Sequence, residues 1–531
     1  MPKPMQAAAT PPLCWWTWRF VATNRDEARL ETLQTSQIFI ARPHATISTV
    51  GLNHWMQRVL EECGRVNTDF GADAVHDLRV ALRRCRSMAD GLMVFDPSPS
   101  WKEMKGAGRR LFRSLGALRD TQVMSEWIHQ LAPEDDPETR ALLDLLAQEE
   151  SQHKQVAAEA LQEFNTKQWR KWSQELPSRA ARVRVGSLVF KHLALERWTE
   201  AHNLHRQAIR NRSQVAFHRL RIGIKRFRYI VENFVPQQHE AWSSDLKELQ
   251  DLLGEVHDLD VMWATARRVN AFGSADSRNR WQAIVQTERG RRIARYRERM
   301  VGRQSLWTLW RADLPQGEKI QVAAMTRLRV WASFIDPDVP HSQHVAMLST
   351  QMFDGLASQG LARSTDYPNA RAILLTAAFL HAVGLAEHNK SSHKTSSRMI
   401  RKLAPPLGWS QGDLLMLAAV VRFHRGAFPH ALHTSLRGVA PEQRPIIKLL
   451  AGILRVADAF DDTRDGRVRR LRVEKKNGFV LISAGGYSPI TRTGQDVAGA
   501  RHLLETVLRK PILVKPLKEP VTHRHQRATL L

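Results

Sequence analysis

The chain has 531 residues, 43% of them hydrophobic, and sets 79 Lys and Arg against 53 Asp and Glu for a formal charge of +26. That length and apolar content suffice for two or three domains with real cores and exclude a disordered polyelectrolyte. So large a positive excess favours anionic partners, with nucleic acid, inorganic polyphosphate and an acidic membrane surface the first classes to weigh. Cys14, Cys63 and Cys85 have no short pair spacing, which argues against a disulfide framework or a thiolate metal cluster and suits a reducing, cytoplasmic compartment.

The chain opens with "MPKPMQAAATPPLCWWTWRF", whose prolines interrupt any apolar run before a secretory core could form, so residues 1–40 read as a flexible leader. From there helical periodicity dominates, with breaks expected at "FDPSPSW" from Phe95, "LAPEDDPET" from Leu131, "ADLPQGEK" from Ala312 and "IDPDVPHS" from Ile335. Within the first half, "HDLRVALRRCR" at His76 matches "HRLRIGIKRFR" at His218, and "LGALRDTQVM" at Leu115 matches "LGEVHDLDVM" at Leu253. The separations, 142 positions (76 to 218) and 138 positions (115 to 253), are nearly equal, which predicts two copies of one helical unit paired about a pseudo-twofold axis.

At about 100° per residue, His76, Arg79, Arg83 and Arg86 share an arc of roughly 80°, while Leu78, Leu82, Cys85, Ala89 and Leu92 gather on another face. The second copy repeats the pattern, with His218, Arg221, Lys225 and Arg228 as cations and Leu220, Ile224, Phe227, Val231 and Phe234 as the apolar seam. Each cationic stripe runs about 15 Å, which is a track rather than a point site. Carboxylates that would neutralise it at i+4 are nearly missing, so like charges are stacked for an anion to fill. Arg84 and Arg226 point to flanking directions. Arg109, Arg110, Arg113, Lys247 and the stretch "ERGRRIARYRERMVGR" from Glu288 extend the positive field, the last reading as a solvated helix.

With these motifs, residues from about 41 to 315 resemble the CHAD domain, the conserved-histidine α-helical domain, in its "H-x-L-R-V-x-x-R-R-x-R" helix and its later "LG-x-x-R-D-x-D-V" turn, each present twice. The first copy of that turn has Gln122 where the second has Asp260. The resemblance implies a duplicated four-helix bundle (about 41–170 and 171–315) with a basic channel that binds inorganic polyphosphate. It assigns the lining to His76, Arg79, Arg83, Arg86, His218, Arg221, Lys225 and Arg228. Arginine forks and lysines on facing helices suit a thread of phosphates with no bases to stack.

Beyond residue 320 the chain turns more apolar. Its longest apolar run, "ILLTAAFLHAVGLA" from Ile373, is short for a membrane span and contains a histidine. "RRLRVEKKNGFVLISAGG" reads as a β-hairpin turning at Lys476-Asn477-Gly478. Residues 320–525 resemble the C-terminal domain of the exopolyphosphatase and guanosine pentaphosphate phosphohydrolase family, through "HSQHVAMLSTQMFDGL", "LLTAAFLHAVG", "SSHKTSSRMI", "VVRFHRGAFP", "LAGILRVADAFDDTR" and "ETVLRKPILV". That implies an all-helical, HD-like domain with a small terminal β element, while the family's catalysis belongs to an ATPase-fold region of which no trace is read here.

HD-type phosphohydrolases hold a divalent metal through a His, an adjacent His-Asp and a distant Asp. His341, His381 and Asp458 fill three of those places, with His393 or His424 as helpers, but Ala382 stands where the adjacent carboxylate belongs. The leading expectation is therefore a mainly α polyphosphate-binding protein with a catalytically degenerate HD-like domain, binding without a required cofactor, with polyphosphate granules as the expected place of association. His393, Lys394, His424 and Arg425 could instead contact phosphate. The alternative is a metal-dependent phosphohydrolase acting on polyphosphate or a phosphorylated nucleotide. Nucleic-acid binding is weaker, because no aromatic platform interleaves with the basic residues, and no membrane partner is expected.

Overall fold

A computed structural model describes residues 51–517, apart from 69, 133–135, 270, 363–366 and 388–390. The expected leader, Cys14 and residues 518–525 lie outside the described residues. The chain is mainly α. Its first half runs through α1 (Leu52–Thr68), α2 (Ala72–Leu92), α3 (Pro99–Ala107), α4 (Arg109–Leu131), α5 (Pro137–Gln162) and α6 (Thr166–Ala180), then α7 (Leu188–Asn211), α8 (Gln214–Phe234), α9 (Pro236–Arg268), α10 (Ala275–Met300) and α11 (Leu306–Ala312).

The duplication is explicit in the helix bounds. α2 and α8 both span 21 residues, and each bound of α8 lies 142 positions after its counterpart. The segment Pro99–Leu131 recurs as the single helix α9, but the first copy is interrupted at Gly108 into α3 and α4. Both start with a proline in the first turn, where the missing N–H costs nothing. The apolar seams read from sequence are buried as expected: Leu78, Leu82, Cys85, Ala89 and Leu92 on α2, and Leu220, Ile224, Phe227, Val231 and Phe234 on α8. They join one core with Trp101, Trp169, Phe190 and Trp310. A satellite core closes the far ends of α4, α5, α9 and α10, and it includes the repeat-related Met124 and Met262 together with Trp127 and Trp281.

One expectation is corrected here. The "LGALRDTQVM" and "LGEVHDLDVM" segments are not turns; they lie inside α4 and α9. A lone helical glycine costs about 1 kcal/mol, and the burial of Leu115, Leu118 and Met124 outweighs it.

The second half comprises α12 (Glu318–Ser333), α13 (Val339–Ser358), α14 (Ala370–Leu380), α15 (Ser392–Arg401), α16 (Gln411–Phe423), α17 (Arg444–Ala459), β1 (Arg470–Lys475), β2 (Val480–Gly485), α18 (Arg492–Ala500), α19 (His502–Leu508) and β3 (Ile512–Pro516). Its own core gathers Leu348, Met352, Leu374, Val421, Phe423, Leu450, Ile453 and Phe460. The hairpin turns where expected: β1 pairs antiparallel with β2, and the Lys476 N–H reaches the Phe479 carbonyl at 3.0 Å. Gly478, at φ 86°, supplies the left-handed residue of that turn. β3 then returns parallel to β2 after α18 and α19. The apolar stretch Ala370–Glu387 is, by length and composition, apolar enough to cross a membrane, but most of it is buried in the fold. It is α14 followed by a 3₁₀ turn, and α14 is a core helix.

Candidate functional site: a cationic cavity and a buried histidine-aspartate cluster

α2 and α8 approach so closely at Gly91 that a Cβ there would lie 2.3 Å from the Phe234 ring. Polar contacts fix the same seam: Asn233 donates to the Ser87 hydroxyl at 3.0 Å, and Arg84 pairs with Glu232. Beside it opens a cavity of about 410 Å³, lined from α2 by Arg79, Arg83 and Arg86 and from α8 by Arg221, Lys225 and Arg226. α4 and α9 close it with Phe112, Asp120, His257 and Asp258.

Of Arg79, Arg83, Arg86, Arg221 and Lys225, only Arg79 has a carboxylate within 4.0 Å among the described residues, Asp120 at 3.9 Å. The Nε atoms of Arg83 and Arg221 are buried without a hydrogen-bond partner. Arg86 gives one N–H to the Lys105 carbonyl at 2.7 Å and lies over Phe112. Burial, then the neighbouring Arg221, pushes the Lys225 ammonium down to about 8, with Arg79 and Arg83 adding to the effect. Burial likewise lowers His257 to about 4 and raises the Asp258 carboxyl to about 6. The Lys225 and His257 shifts are the mark of positive charge held in a confined, partly desolvated space, whereas Asp258 rises through burial against the pull of Arg221 and Lys225.

Five of the eight expected track residues thus meet in one cavity. The other three stand elsewhere. His76 is exposed and outside the lining. His218 lies behind the wall, its Nδ1 3.2 Å from that of His257. Arg228 is turned toward Glu232, at 4.0 Å. Arg226, expected to flank, does line the cavity, though it also pairs with Glu200 at 2.9 Å. The sequence reading missed Asp120, His257 and Asp258. A signal existed, since Asp120 and Asp258 hold the same place in the repeated "LG-x-x-x-D".

Arg109 and Arg113 stand near enough to Arg86 to depress its basicity further after burial has done so. The arginine-rich α10 is neutralised instead. Arg289 pairs with Asp260 at 2.9 Å, Arg292 with Glu255 at 2.5 Å and Arg295 with Glu248 at 2.7 Å, and Arg299 pairs with Asp245. Lys247 pairs with Asp251 at 2.7 Å and Arg110 with Glu163. Gln122 and Asp260, where the two copies differ, both tie their helix to the next one, through Glu150 and Arg289, and neither faces the cavity.

In the second half, His341, from the first turn of α13, His381, just past α14, and Asp458, near the end of α17, bring one ligand atom each to within 4.8 Å of one another. All three are buried. The His381 Nδ1 lies 2.7 Å from the Ala378 carbonyl, which only accepts, so Nδ1 carries the hydrogen and Nε2 is left as a lone pair. The His341 Nδ1 is held by Asp461 at 2.7 Å. Both Nε2 atoms face the Asp458 Oδ1, at 3.3 and 3.5 Å, and that buried oxygen has no hydrogen-bond partner. Its Oδ2 accepts from Arg425 at 2.7 Å. Burial alone would lower the His341 imidazole, but Asp458 and Asp461 raise it to about 9. Two nitrogens and a carboxylate oxygen around an orphaned acceptor, with a carboxylate behind one histidine, suit a divalent transition metal. Ala382 points no ligand into this space.

Residues 52–267 match the family model of the CHAD domain, and residues 329–482 match that of Ppx/GppA phosphatase domain III. No curated protein matches the chain. Among solved structures, a crystal structure of the CHAD domain from the plant Ricinus communis aligns at 22% identity over 49% of this chain and 88% of that one, with a TM-score of 0.32.

Proposed function

We propose that this chain, a CHAD domain joined to a Ppx/GppA domain-III unit, binds inorganic polyphosphate in the cavity between α2 and α8. The binding unit is assigned to residues 41–315 and the second unit to 320–525. The observation that carries this reading is the contrast between two arginine-rich surfaces of one molecule. On α10 the cations are matched by carboxylates of α9, whereas Arg83, Arg86, Arg221 and Lys225 converge with no carboxylate within 4.0 Å among the described residues, Asp120 and Asp258 of the same lining standing farther off. A cluster in which cations outnumber the carboxylates around them is stabilised by an anion of high linear charge. A phosphate thread supplies one charge per unit and enough oxygens for several arginine forks at once.

Among the described residues the lining carries the aromatic rings of Phe112, which lies under Arg79 and Arg86, and of Tyr229, too few to interleave with the cations as a stacking platform for successive bases, so this reading favours polyphosphate over RNA. Replacing Arg79 and Arg221 together by Ala removes two charge-assisted contacts of about 1.5 kcal/mol each. Affinity for long-chain polyphosphate should fall by about a hundredfold, while Arg291→Ala on α10 leaves it within about twofold. Equal losses in both variants would reject the cavity. Labelled polyphosphate should also survive competition from equal phosphate equivalents of RNA.

A second reading rests on the orphaned Asp458 oxygen. His341, His381 and Asp458 would hold a divalent cation, which when bound supplies a Lewis acid and an activated water beside a phosphate. This chain's own residues would orient it, through the Ala378 carbonyl and Asp461 behind the two histidines. Ala382 removes the carboxylate that marks active sites of this type, so the unit is read as binding rather than hydrolytic. Phosphate release from polyphosphate with added manganese, lost in His381→Ala, would reverse that assignment.

A further inference from the structure

α15 carries His393 and Lys394 in its first turn and no acidic residue there. Cations at that end oppose the helix dipole, which favours negative charge. Facing them is the end of α16, with Arg422 in its last turn, followed by the loop Arg425–Ala427. Gly426, at φ 74°, comes so near that a Cβ on it would stand 3.3 Å from the His393 Nε2. Arg455 reaches over from α17 to hold this loop, donating to the carbonyls of Phe423, Gly426 and Ala427 at 2.7, 2.8 and 3.0 Å.

Four cations therefore surround one imidazole. Burial, then Arg422, Lys394, Arg425 and Arg455, pushes His393 down to about 4, so the ring is neutral and keeps one N–H to donate. Arg425 is matched by Asp458 at 2.7 Å and Asp462 at 3.7 Å. Lys394, Arg422 and Arg455 have no carboxylate within 4.0 Å among the described residues. One terminal nitrogen of Arg422 is buried with no hydrogen-bond partner, a state that costs free energy until an acceptor arrives.

We propose that this face between α15 and the end of α16 is a second phosphoanion site, independent of the bundle cavity, which takes a terminal phosphate group. Lys394 and Arg422 supply the charge, His393 a neutral donor, and Arg455 fixes the loop that shapes it. Rings link it to the buried cluster: His393 to His424 at 6.3 Å and His424 to His381 at 5.2 Å between centroids. The bound group is either the end of a polyphosphate chain or a phosphomonoester of nucleotide type.

The test is calorimetric titration of the full chain with tripolyphosphate and, separately, with adenosine 5′-monophosphate. The chain should bind two equivalents of tripolyphosphate, and the Arg79→Ala, Arg221→Ala double variant should retain one. Adding Arg422→Gln should weaken the retained site about tenfold, as should Lys394→Glu, which alters an exposed side chain and leaves the fold intact if the arginine variant does not. Lys394→Glu alone should weaken one of the two equivalents about tenfold and leave the other unchanged, which reads this site without reference to the cavity. Retained binding of the monophosphate assigns the phosphomonoester; tripolyphosphate alone assigns the chain end. A single equivalent in the starting protein, or retained binding indifferent to Lys394→Glu and Arg422→Gln, would overturn the proposal.

Discussion

Lys225 carries a charge that its surroundings resist. Its folded-state value of about 8 lies below the ordinary 10.5 because burial and Arg221 penalise the ammonium, so the group destabilises the fold below about pH 8 and ceases to do so as pH rises toward 10.5. An anion in the cavity reverses the penalty. Lys225→Met should raise the melting temperature by about 2–4 °C and weaken tripolyphosphate binding about tenfold, which differential scanning and titration read separately. Binding should also weaken as pH rises through 8, where Lys225 loses its charge. It should strengthen as pH falls through about 6, where Asp258 loses its negative one; a flat profile from pH 5.5 to 9 would count against both assignments. His341 works in the opposite sense. Raised from 6.5 to about 9, it contributes stability that is complete below pH 6.5 and lost as pH passes 9. Denaturant titrations of metal-free protein at pH 6 and pH 9 should differ accordingly, and Asp458→Asn should cost about 3 kcal/mol at the lower pH.

At the scale of elements, the α2–α8 pair is the frame on which the cavity is built. Gly91→Ala would drive a methyl group into the Phe234 ring, so it should destabilise by about 2 kcal/mol and lower polyphosphate affinity without touching a cation. The apolar seams and cationic stripes of these helices were legible in sequence because one period of 3.6 residues sorts both faces. What periodicity could not supply is the partner. Two helices share only the stretch around their closest approach, so Arg79, Arg83, Arg86, Arg221 and Lys225 face the common space while His76, His218 and Arg228 leave it. Asp120, His257 and Asp258 come from α4 and α9, in segments expected as turns, and so were not placed with the stripe. The His341, His381 and Asp458 cluster was legible from residue type and order alone. Its orientation, set by the Ala378 carbonyl and by Asp461, was not, since backbone carbonyls leave no mark in a sequence.

At the scale of the molecule, the charge of +26 is distributed unevenly in effect. Pairing along α10 removes most of its contribution to any local field, and among the described residues cations without a carboxylate within 4.0 Å gather in the bundle cavity and at the end of α16, among other places. The two halves of the chain are joined through α7, where His192 meets the Leu407 carbonyl at 2.8 Å and Glu196 accepts from the Leu407 N–H at 3.0 Å. Raising salt should weaken polyphosphate binding in the starting protein more steeply than in the Arg79→Ala, Arg221→Ala variant, because fewer counterions are then exchanged. The most direct measurement is a crystal structure of the full chain soaked with hexapolyphosphate. Phosphate density running between Arg79, Arg83, Arg221 and Lys225 is the result expected; a cavity left vacant while phosphate occupies the outer face of α10 would contradict it.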